Sequence, residues 1–169
     1  EVMEADVDES VADGESPRAY VERLARAKAE AGWRRVERDN LPRAPVLGAD
    51  TTVALDGRIL GKPTDGKEAA EMLAALSGRM HEVLTAVAVK HDSRLESAVS
   101  VSEVRFKTLT REEIARYVAT GECEDKAGAY GIQGHAARFV AELRGSFSGV
   151  VGLPLYETAQ LLDLIGSPA

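Results

Sequence analysis

Polar residues in four turn-like blocks of this chain could do chemistry together. The blocks are residues 48–53 (Gly-Ala-Asp-Thr-Thr-Val), 60–64 (Leu-Gly-Lys-Pro-Thr), 78–85 (Gly-Arg-Met-His-Glu-Val-Leu-Thr) and 125–134 (Asp-Lys-Ala-Gly-Ala-Tyr-Gly-Ile-Gln-Gly). Each block lies beside an apolar strand-like run or opens a helix. Their carboxylates, lysines and glycines suit a cleft that binds an anion together with a metal held by oxygen atoms. The residue types and spacing indicate phosphate handling but do not specify a reaction.

Asp50 is the leading candidate for a chemical role. It ends a short apolar run, residues 45–49, which is typical of a buried strand. Ligands of α/β sheets gather outside the carboxyl ends of strands, where a carboxylate can hold a divalent cation or take a proton from water. The competing interpretation is an ordinary turn or capping aspartate.

Two lysines are candidate phosphate ligands. Lys62 precedes a predicted helix start at Thr64 or Asp65, where backbone amides and the helix dipole favour anions. Its surroundings are not a P-loop, because Pro63 separates the lysine from the threonine. Lys28 lies beside the apolar stripe of the first predicted helix and would point into a cleft. The alternatives are a surface lysine for Lys62 and a snorkelling lysine for Lys28.

Three further polar residues stand in these blocks. Arg79 and His81 flank a predicted strand start, and His81 could equally be a hydrogen-bonded structural residue. No second His or Cys lies at zinc-ligand spacing from His81. Gln133 carries both a donor and an acceptor in a glycine-rich loop, which suits contact with the edge of a base. Its alternative is an exposed loop glutamine.

Composition limits the possible partners and the compartment. The chain has 169 residues and a net charge of -7, which argues against nucleic acid and anionic membranes as partners. One cysteine, Cys123, allows no internal disulfide and favours a reducing, cytoplasmic location; we interpret Cys123 as a bystander in a polar loop. No apolar run approaches the roughly 18 residues of a membrane span.

The periodicity predicts alternating helices and strands in one α/β domain over residues 1–169. We predict a first helix from Pro17 that ends at Gly32, a hairpin turn at Asp56-Gly57 and a long antiparallel strand pair. Thr110 and Glu113 predict a capping box at the start of a helix. The other predicted helices begin at 64 or 65, at 110 and at 154; the predicted strands are residues 45–55, 58–60, 81–89, 98–106 and 137–143, and 145–149 is a predicted turn.

The blocks closely resemble the Maf family of nucleoside triphosphate pyrophosphatases. The resemblance extends over nearly the whole chain, through residues 7–9, 24–29, 48–53, 61–63, 79–85, 125–134 and 145–155. It implies a mixed, partly antiparallel twisted sheet flanked by helices, with two lobes around a central cleft. It further implies cleavage of a nucleotide between its α- and β-phosphates with a divalent metal, Mg²⁺, and a homodimer as the assembly.

The resemblance also implies residue roles. Asp50 matches the family's catalytic carboxylate, assigned as proton acceptor, while Glu9, Lys28 and Lys62 match polar residues that line the cleft. Phosphoryl chemistry agrees with these roles, since positioning and charge neutralisation supply most of the catalysis. Asp50 and Glu9 are the candidate metal ligands, although the resemblance does not fix the ligand set.

Two residues place the chain within the family. The branch that acts on dTTP and UTP carries Thr after the catalytic Asp and Gln in the glycine-rich loop, as Thr51 and Gln133 do here. The branch that acts on 7-methyl-GTP differs at both positions. Gln133 would pair with the O4/N3–H edge of thymine or uracil, and Arg79 is counted with the substrate-binding residues.

The beginning of the chain departs from the family pattern. The family usually opens with a segment that ends in Ser-Pro-Arg-Arg, whereas Ser16-Pro17-Arg18 lies after Asp8-Glu9 and opens the first helix. We assign no family role to Arg18 and expect the natural protein to begin before residue 1. The alternatives to a pyrimidine nucleotide pyrophosphatase are a nucleotide-binding regulator of septum formation with little turnover, and a purine-specific enzyme such as an inosine triphosphate pyrophosphatase.

Overall fold

A computed structural model describes residues 6–166 of the chain. Within them the helices are α1 (Pro17–Arg38), α2 (Gly66–Leu76), α3 (Arg111–Val118), α4 (Phe147–Val151) and α5 (Leu155–Leu164). The strands are β1 (Val46–Leu55), β2 (Arg58–Leu60), β3 (Met80–His91), β4 (Arg94–Phe106) and β5 (Val140–Arg144). Two 3₁₀ turns, Ala127–Ala129 and His135–Phe139, lie between α3 and β5.

The described strands form one sheet in the order β2-β1-β3-β4-β5, and each pairing among them is antiparallel. The predicted α/β class with an antiparallel sheet flanked by helices is therefore confirmed, and its antiparallel character extends across the whole described sheet. The hairpin at Asp56-Gly57 and the long β3–β4 pair form as the sequence predicts. The hairpin strand β2 is short and pairs only with Val53–Leu55 of β1.

Helix α1 packs on one face of the sheet. Its Val21, Ala25 and Ala29 meet Leu84, Ala86 and Ala88, the even-numbered side chains of β3. The helix lies unusually close to β1, because a Cβ at Gly48 would lie 2.4 Å from the carbonyl oxygen of Ala25. Only a glycine at position 48 allows this approach.

The predicted end of the first helix at Gly32 is wrong. Helix α1 continues to Arg38, and Gly32 is buried within it. The extra turns bury Trp33 and Val36 against Val46 of β1. This apolar burial outweighs the cost of about 1 kcal/mol that an interior glycine imposes on a helix.

The opposite face of the sheet carries two groups of elements. Helices α2 and α3 and the segment 127–139 pack over one end, in a core that includes Val53, Val83 and Phe106. Helix α5 covers Val87 and Val89 at the other end. A cavity opens where the first of these groups meets α4.

Local details around β5 and α5 differ from the predictions. The first part of the predicted strand 137–143 is the 3₁₀ turn His135–Phe139, and the strand is Val140–Arg144. Residues 145–149, predicted as a turn, include the start of α4, which Ser146 caps. The apolar pattern of the last helix also predicts that Leu155, Ala159, Leu162 and Ile165 face inward. Ile165 is buried as predicted, but Leu155 is 60% exposed, and α5 buries Thr158 and Leu161.

The sequence of residues 1–7 also resembles part of a strand. Residues 1–5 of this prediction lie outside the described residues, and Asp6 and Val7 are not in a strand. Cys123 is not in a polar setting, since it is 3% exposed within the core that α2 and α3 cover. Among residues 6–166, none of the helices is both long and apolar enough to cross a lipid bilayer.

Candidate active site

A cavity of about 540 Å³ lies at the edge of the sheet where β1 extends beyond β2. This volume is in the range of small-molecule sites. Strand β1, the segment from Glu122 to Gly134 and helix α4 supply most of its wall. The lining residues are Ala49, Asp50, Thr51, Val53, Lys62, Val83, Glu122, Asp125, Lys126, Ala127, Tyr130, Gly131, Ile132, Gln133, Gly134, Val150 and Val151.

Asp50 and Thr51 reach the cavity from opposite faces of β1. Asp50 pairs in register with Ala86 on the α1 face, and Thr51 pairs with Thr85 on the other face. Because β2 begins its pairing at Val53, no described strand lies beside these two residues on the outer side of β1. The uncovered edge therefore lets two adjacent side chains of opposite orientation line one cavity.

Charged groups converge on the α1 side of this edge. Lys28 Nζ lies 2.6 Å from Asp50 Oδ1 and 2.8 Å from Glu9 Oε1. Lys62 Nζ lies 3.4 Å from Glu9 Oε2. Four residues that are distant in sequence thus form one alternating ion cluster, and the snorkelling interpretation of Lys28 is wrong.

The segment that carries Glu9 is tied to α1 by side chains of that helix. The hydroxyl of Tyr20 donates a hydrogen bond to the carbonyl oxygen of Glu9 at 3.0 Å. Arg23 donates to the carbonyl oxygen of Ser10 at 2.8 Å and forms an ion pair with Glu15 at 2.7 Å. An irregular segment can therefore hold Glu9 in a fixed place beside Lys28.

The cluster changes the acidity of its members. Burial raises the pKa of the Asp50 carboxyl, while the hydrogen bond from Lys28 opposes this rise. The hydrogen bond from Lys28 lowers the pKa of Glu9. Burial of Lys28 disfavours its charge, but the bonds to Asp50 and Glu9 prevail and raise the pKa of its ammonium group. At neutral pH the site holds a cation between two carboxylates, with Asp50 the more basic of the two.

The wall beyond Thr51 is largely apolar. Val53 and Val83, paired across β1 and β3, lie next to Ile132 and to Val150 of α4. Gln133 is exposed at the rim of this part of the cavity. A charged end and an apolar end are the arrangement that a nucleotide needs for its phosphates and its base.

The glycine-rich segment is fixed by contacts to several elements. Gly128 has a φ of +66° and lies against Val53, where a Cβ would approach to 2.9 Å. The Glu122 carboxylate accepts a hydrogen bond from the backbone N–H of His135 at 2.7 Å. Tyr130 hydrogen-bonds His81 Nε2 at 2.8 Å inside the core. These contacts hold the turn that presents Gln133.

Two residues of the polar blocks lie outside the cavity. The structure does not bring Arg79 to the cavity: its guanidinium donates to Asp56 at 2.8 Å on the surface, and it is not among the described lining residues. His81 is 2% exposed and is the hydrogen-bonded structural residue of our alternative interpretation. Its burial lowers the pKa of the imidazole to about 4, so it is neutral.

Sequence reasoning missed three residues of this site. Thr85 and Glu122 act through hydrogen bonds that the strand register and the loop path create, and no local pattern reveals them. Lys126 also lines the cavity. The position of Lys126 in the glycine-rich block, directly after Asp125, is the sequence feature that could have predicted its place in the cavity wall.

The carboxylate oxygens of Asp50 and Glu9 are compatible with one kind of bound metal, a Mg²⁺ ion. Within residues 6–166 no three His, Cys, Asp or Glu side chains form a metal-binding group. Asp50 and Glu9 nevertheless present two carboxylates around one cation, Lys28. Mg²⁺ is commonly held by one or two carboxylates together with water and substrate phosphates, so this pair fits a substrate-dependent Mg²⁺ better than a permanent structural ion.

Comparison with known proteins identifies the family of this chain. The family described as Maf-like protein matches residues 1–165. A dTTP/UTP pyrophosphatase of Aromatoleum aromaticum is 59% identical over 98% of this chain and 80% of its own length. The proteins of the same name from Chromobacterium violaceum and Nitrosomonas europaea are 55% and 54% identical, over 98% and 96% of this chain and 84% and 78% of their own lengths. The chain belongs to the Maf-like protein family.

Proposed function

We propose that this protein hydrolyses dTTP and UTP to the nucleoside monophosphate and pyrophosphate. The observation that carries the proposal is the ion cluster of Glu9, Lys28, Asp50 and Lys62 at the charged end of a nucleotide-sized cavity. The relatives described above, named dTTP/UTP pyrophosphatases over nearly the whole chain, support it.

The charged end would bind the triphosphate. Lys62 lines the cavity and is 56% exposed, whereas Lys28 is 22% exposed and meets the cavity through its contact with Asp50. Phosphate oxygens can therefore replace Glu9 as the partner of Lys62. Both ammonium groups then offset the charge that builds up on the phosphates during cleavage. The chain beside Lys62 is tied to the glycine-rich segment, because the carbonyl oxygen of Gly61 accepts a hydrogen bond from the N–H of Gly128 at 3.0 Å.

Asp50 is the proposed general base. Its raised pKa makes it a stronger proton acceptor than an ordinary exposed aspartate. A water oxygen bonds to phosphorus, the bridging oxygen between the α- and β-phosphates departs with the electron pair, and Asp50 takes the proton of the water. Lys28 orients the carboxylate through its bond to Oδ1.

Mg²⁺ is the proposed metal, and Asp50 and Glu9 would hold it. When bound, it would neutralise phosphate charge as a Lewis acid. Lys28 holds the two carboxylates near each other through its bonds to both, which keeps this ligand pair assembled.

The apolar end would take the pyrimidine. Val53, Val83 and Ile132 supply apolar contacts, while the amide of Gln133 at the rim can donate to O4. A homodimer and a cytoplasmic location, both implied at the level of sequence, stay predictions. Arg79 has no part in the proposed site.

The test is pyrophosphate release from dTTP, UTP, CTP, GTP, ATP and 7-methyl-GTP in the presence of Mg²⁺. We expect release from dTTP and UTP, and a loss of at least about 100-fold in Asp50→Asn, since general-base catalysis contributes about 10²–10⁴-fold. Asp56→Asn is the matched control, because Asp56 is an exposed carboxylate paired with Arg79. Nucleotide binding without turnover in the wild-type protein would instead favour a regulatory role.

A further inference from the structure

Thr85 lies behind the cavity wall and connects two of its elements. The side chain is 1% exposed and pairs in register with Thr51. Its Oγ1 lies 2.7 Å from the carbonyl oxygen of Gly149 in α4 and 2.9 Å from Thr51 Oγ1. Thr51 lines the cavity, whereas Thr85 does not reach it.

These two contacts fix the direction of both hydroxyl protons. A carbonyl oxygen can only accept, so the single proton of Thr85 is donated to Gly149. Two oxygens 2.9 Å apart repel unless a proton lies between them, so Thr51 donates its proton to Thr85. The proton of Thr51 is therefore directed into the protein, and its Oγ1 faces the cavity with lone pairs alone.

We propose that Thr85 is a positioning residue that makes Thr51 a hydrogen-bond acceptor toward the ligand, and that this polarity selects thymine and uracil over cytosine. The inference rests on the proposed function and adds the atom-level basis of its base selectivity. It assigns the discrimination to a buried residue that does not contact the nucleotide.

The chemistry of the bases makes the polarity decisive. N3 of thymine and uracil carries a hydrogen, whereas N3 of cytosine presents a lone pair at the same position. An acceptor at Thr51 attracts the first edge and repels the second. Thr51 stands at the border of the apolar wall formed by Val53 and Val83, where a pyrimidine ring would be shielded from water. Inside such a wall a mispaired polar edge is costly, and we expect discrimination of about tenfold or more.

The test compares the wild type with Thr85→Val and Thr85→Ser. Valine keeps the shape of threonine but lacks the hydroxyl, so Thr51 can rotate its proton toward the ligand. We expect the ratio of kcat/KM for dTTP over dCTP to fall about tenfold or more in Thr85→Val and to stay near the wild-type value in Thr85→Ser. A structural role alone would lower both activities without changing their ratio. An unchanged ratio in a Thr85→Val protein that melts cooperatively would overturn the inference.

Two further measurements keep the test decisive. If Thr85→Val does not fold, Thr85→Ala, which also removes the hydroxyl, takes its place in the same comparison. A ratio of kcat/KM for dTTP over dCTP that falls about tenfold or more supports the inference, and an unchanged ratio overturns it. If the wild type hydrolyses no nucleotide, the proposed function fails. Binding of dTMP and dCMP, measured by calorimetry for the wild type and both variants, then still decides whether Thr85 sets the polarity of Thr51.

Discussion

Lys28 reaches two carboxylates at once, and this shared contact governs how single residues in the site respond to pH. The ammonium group lies 2.6 Å from Asp50 and 2.8 Å from Glu9. Burial raises the pKa of Asp50 and Lys28 opposes that rise. The basicity of the proposed catalytic carboxylate is thus a balance between desolvation and one ion pair.

The pH dependence of hydrolysis follows from this balance. Asp50 accepts a proton only when ionised, so kcat/KM should fall as the pH drops through a pKa above the ordinary 3.8 of aspartate. Lys28→Met removes the opposing cation, and the acid limb should then move to still higher pH while the maximum rate falls. Profiles of kcat/KM between pH 4 and 8 measure both effects. Lys67→Met is the control, since Lys67 is 85% exposed on α2; an acid limb that stays in place in Lys28→Met would contradict the assignment.

At this scale the sequence reveals the charged residues of the ion cluster and misses residues that act through hydrogen bonds. Asp50 and Lys62 lie in the polar blocks and Lys28 lies beside an apolar helix stripe, and the structure places all three in the ion cluster. Thr85 cannot be recognised in this way, because its role depends on the register of β1 with β3 and on the place of α4. The position of Arg79 likewise depends on the tertiary fold, since its guanidinium contacts Asp56 at the hairpin turn rather than the cavity.

At the scale of the elements, the site depends on how closely α1 approaches β1. Lys28 lies on α1 and Asp50 on β1, so their contact requires the short distance between helix and strand that Gly48 permits. A side chain at position 48 would push the helix away and separate the ion pair.

The variant Gly48→Ala tests this contact. The added Cβ would lie 2.4 Å from a backbone oxygen that cannot rotate away. We expect the free energy of unfolding to fall by about 1–3 kcal/mol, as overpacking does in cores, together with a loss of activity. Urea denaturation and pyrophosphate release measure the two effects. Gly61→Ala is the stability control, because a Cβ there meets no described atom within 4 Å; equal stabilities would show that α1 does not need this glycine.

The glycine-rich segment is the second element that positions the site. Glu122 accepts from the N–H of His135 and so fixes the turn that follows Gln133. Glu122→Ala should lower kcat/KM for dTTP by about tenfold, since a hydrogen bond to a charged group is lost. Glu122→Gln keeps an acceptor oxygen and should lose less, and Glu124→Ala, at an exposed neighbour, should lose nothing. Equal losses in Glu122→Ala and Glu122→Gln would show that the charge of Glu122 matters rather than its acceptor.

Local signals predicted the elements well where local interactions decide them. The hairpin at Asp56-Gly57 and the capping box of Thr110 and Glu113 form as the sequence indicates. Helix α1 passes through Gly32 because Trp33 and Val36 find partners on β1, a tertiary effect that no window of sequence contains. The 3₁₀ turn His135–Phe139 likewise follows from burial of Ala136 and Phe139 in the core.

At the scale of the whole molecule, one buried histidine links stability to pH. His81 lies in the core with Phe106 and Tyr130 around its ring, and burial lowers its pKa from 6.5 to about 4. Below pH 6.5 the unfolded chain binds a proton at this position and the folded protein does not. The contribution of the neutral His81 to the free energy of unfolding is therefore fully present above pH 6.5, and it is lost as the pH falls from 6.5 toward about 4.

The expected loss from this residue is about 3 kcal/mol, at 1.36 kcal/mol for each unit of pKa difference. Urea denaturation of the wild type and His81→Gln between pH 7 and 4 should show a shallower decline in the variant. His135→Gln is the control, because the side chain of His135 is 61% exposed. Parallel declines in the wild type and His81→Gln would contradict the account of a neutral buried histidine.

The position of bond cleavage is the most direct test of the central claim, that the cluster around Asp50 cleaves between the α- and β-phosphates. Phosphorus NMR of dTTP incubated with the protein and Mg²⁺ distinguishes the products. We predict equal amounts of dTMP and pyrophosphate, formed by the wild type and by Asp56→Asn but not by Asp50→Asn. The appearance of dTDP and orthophosphate, or undiminished turnover in Asp50→Asn, would contradict it.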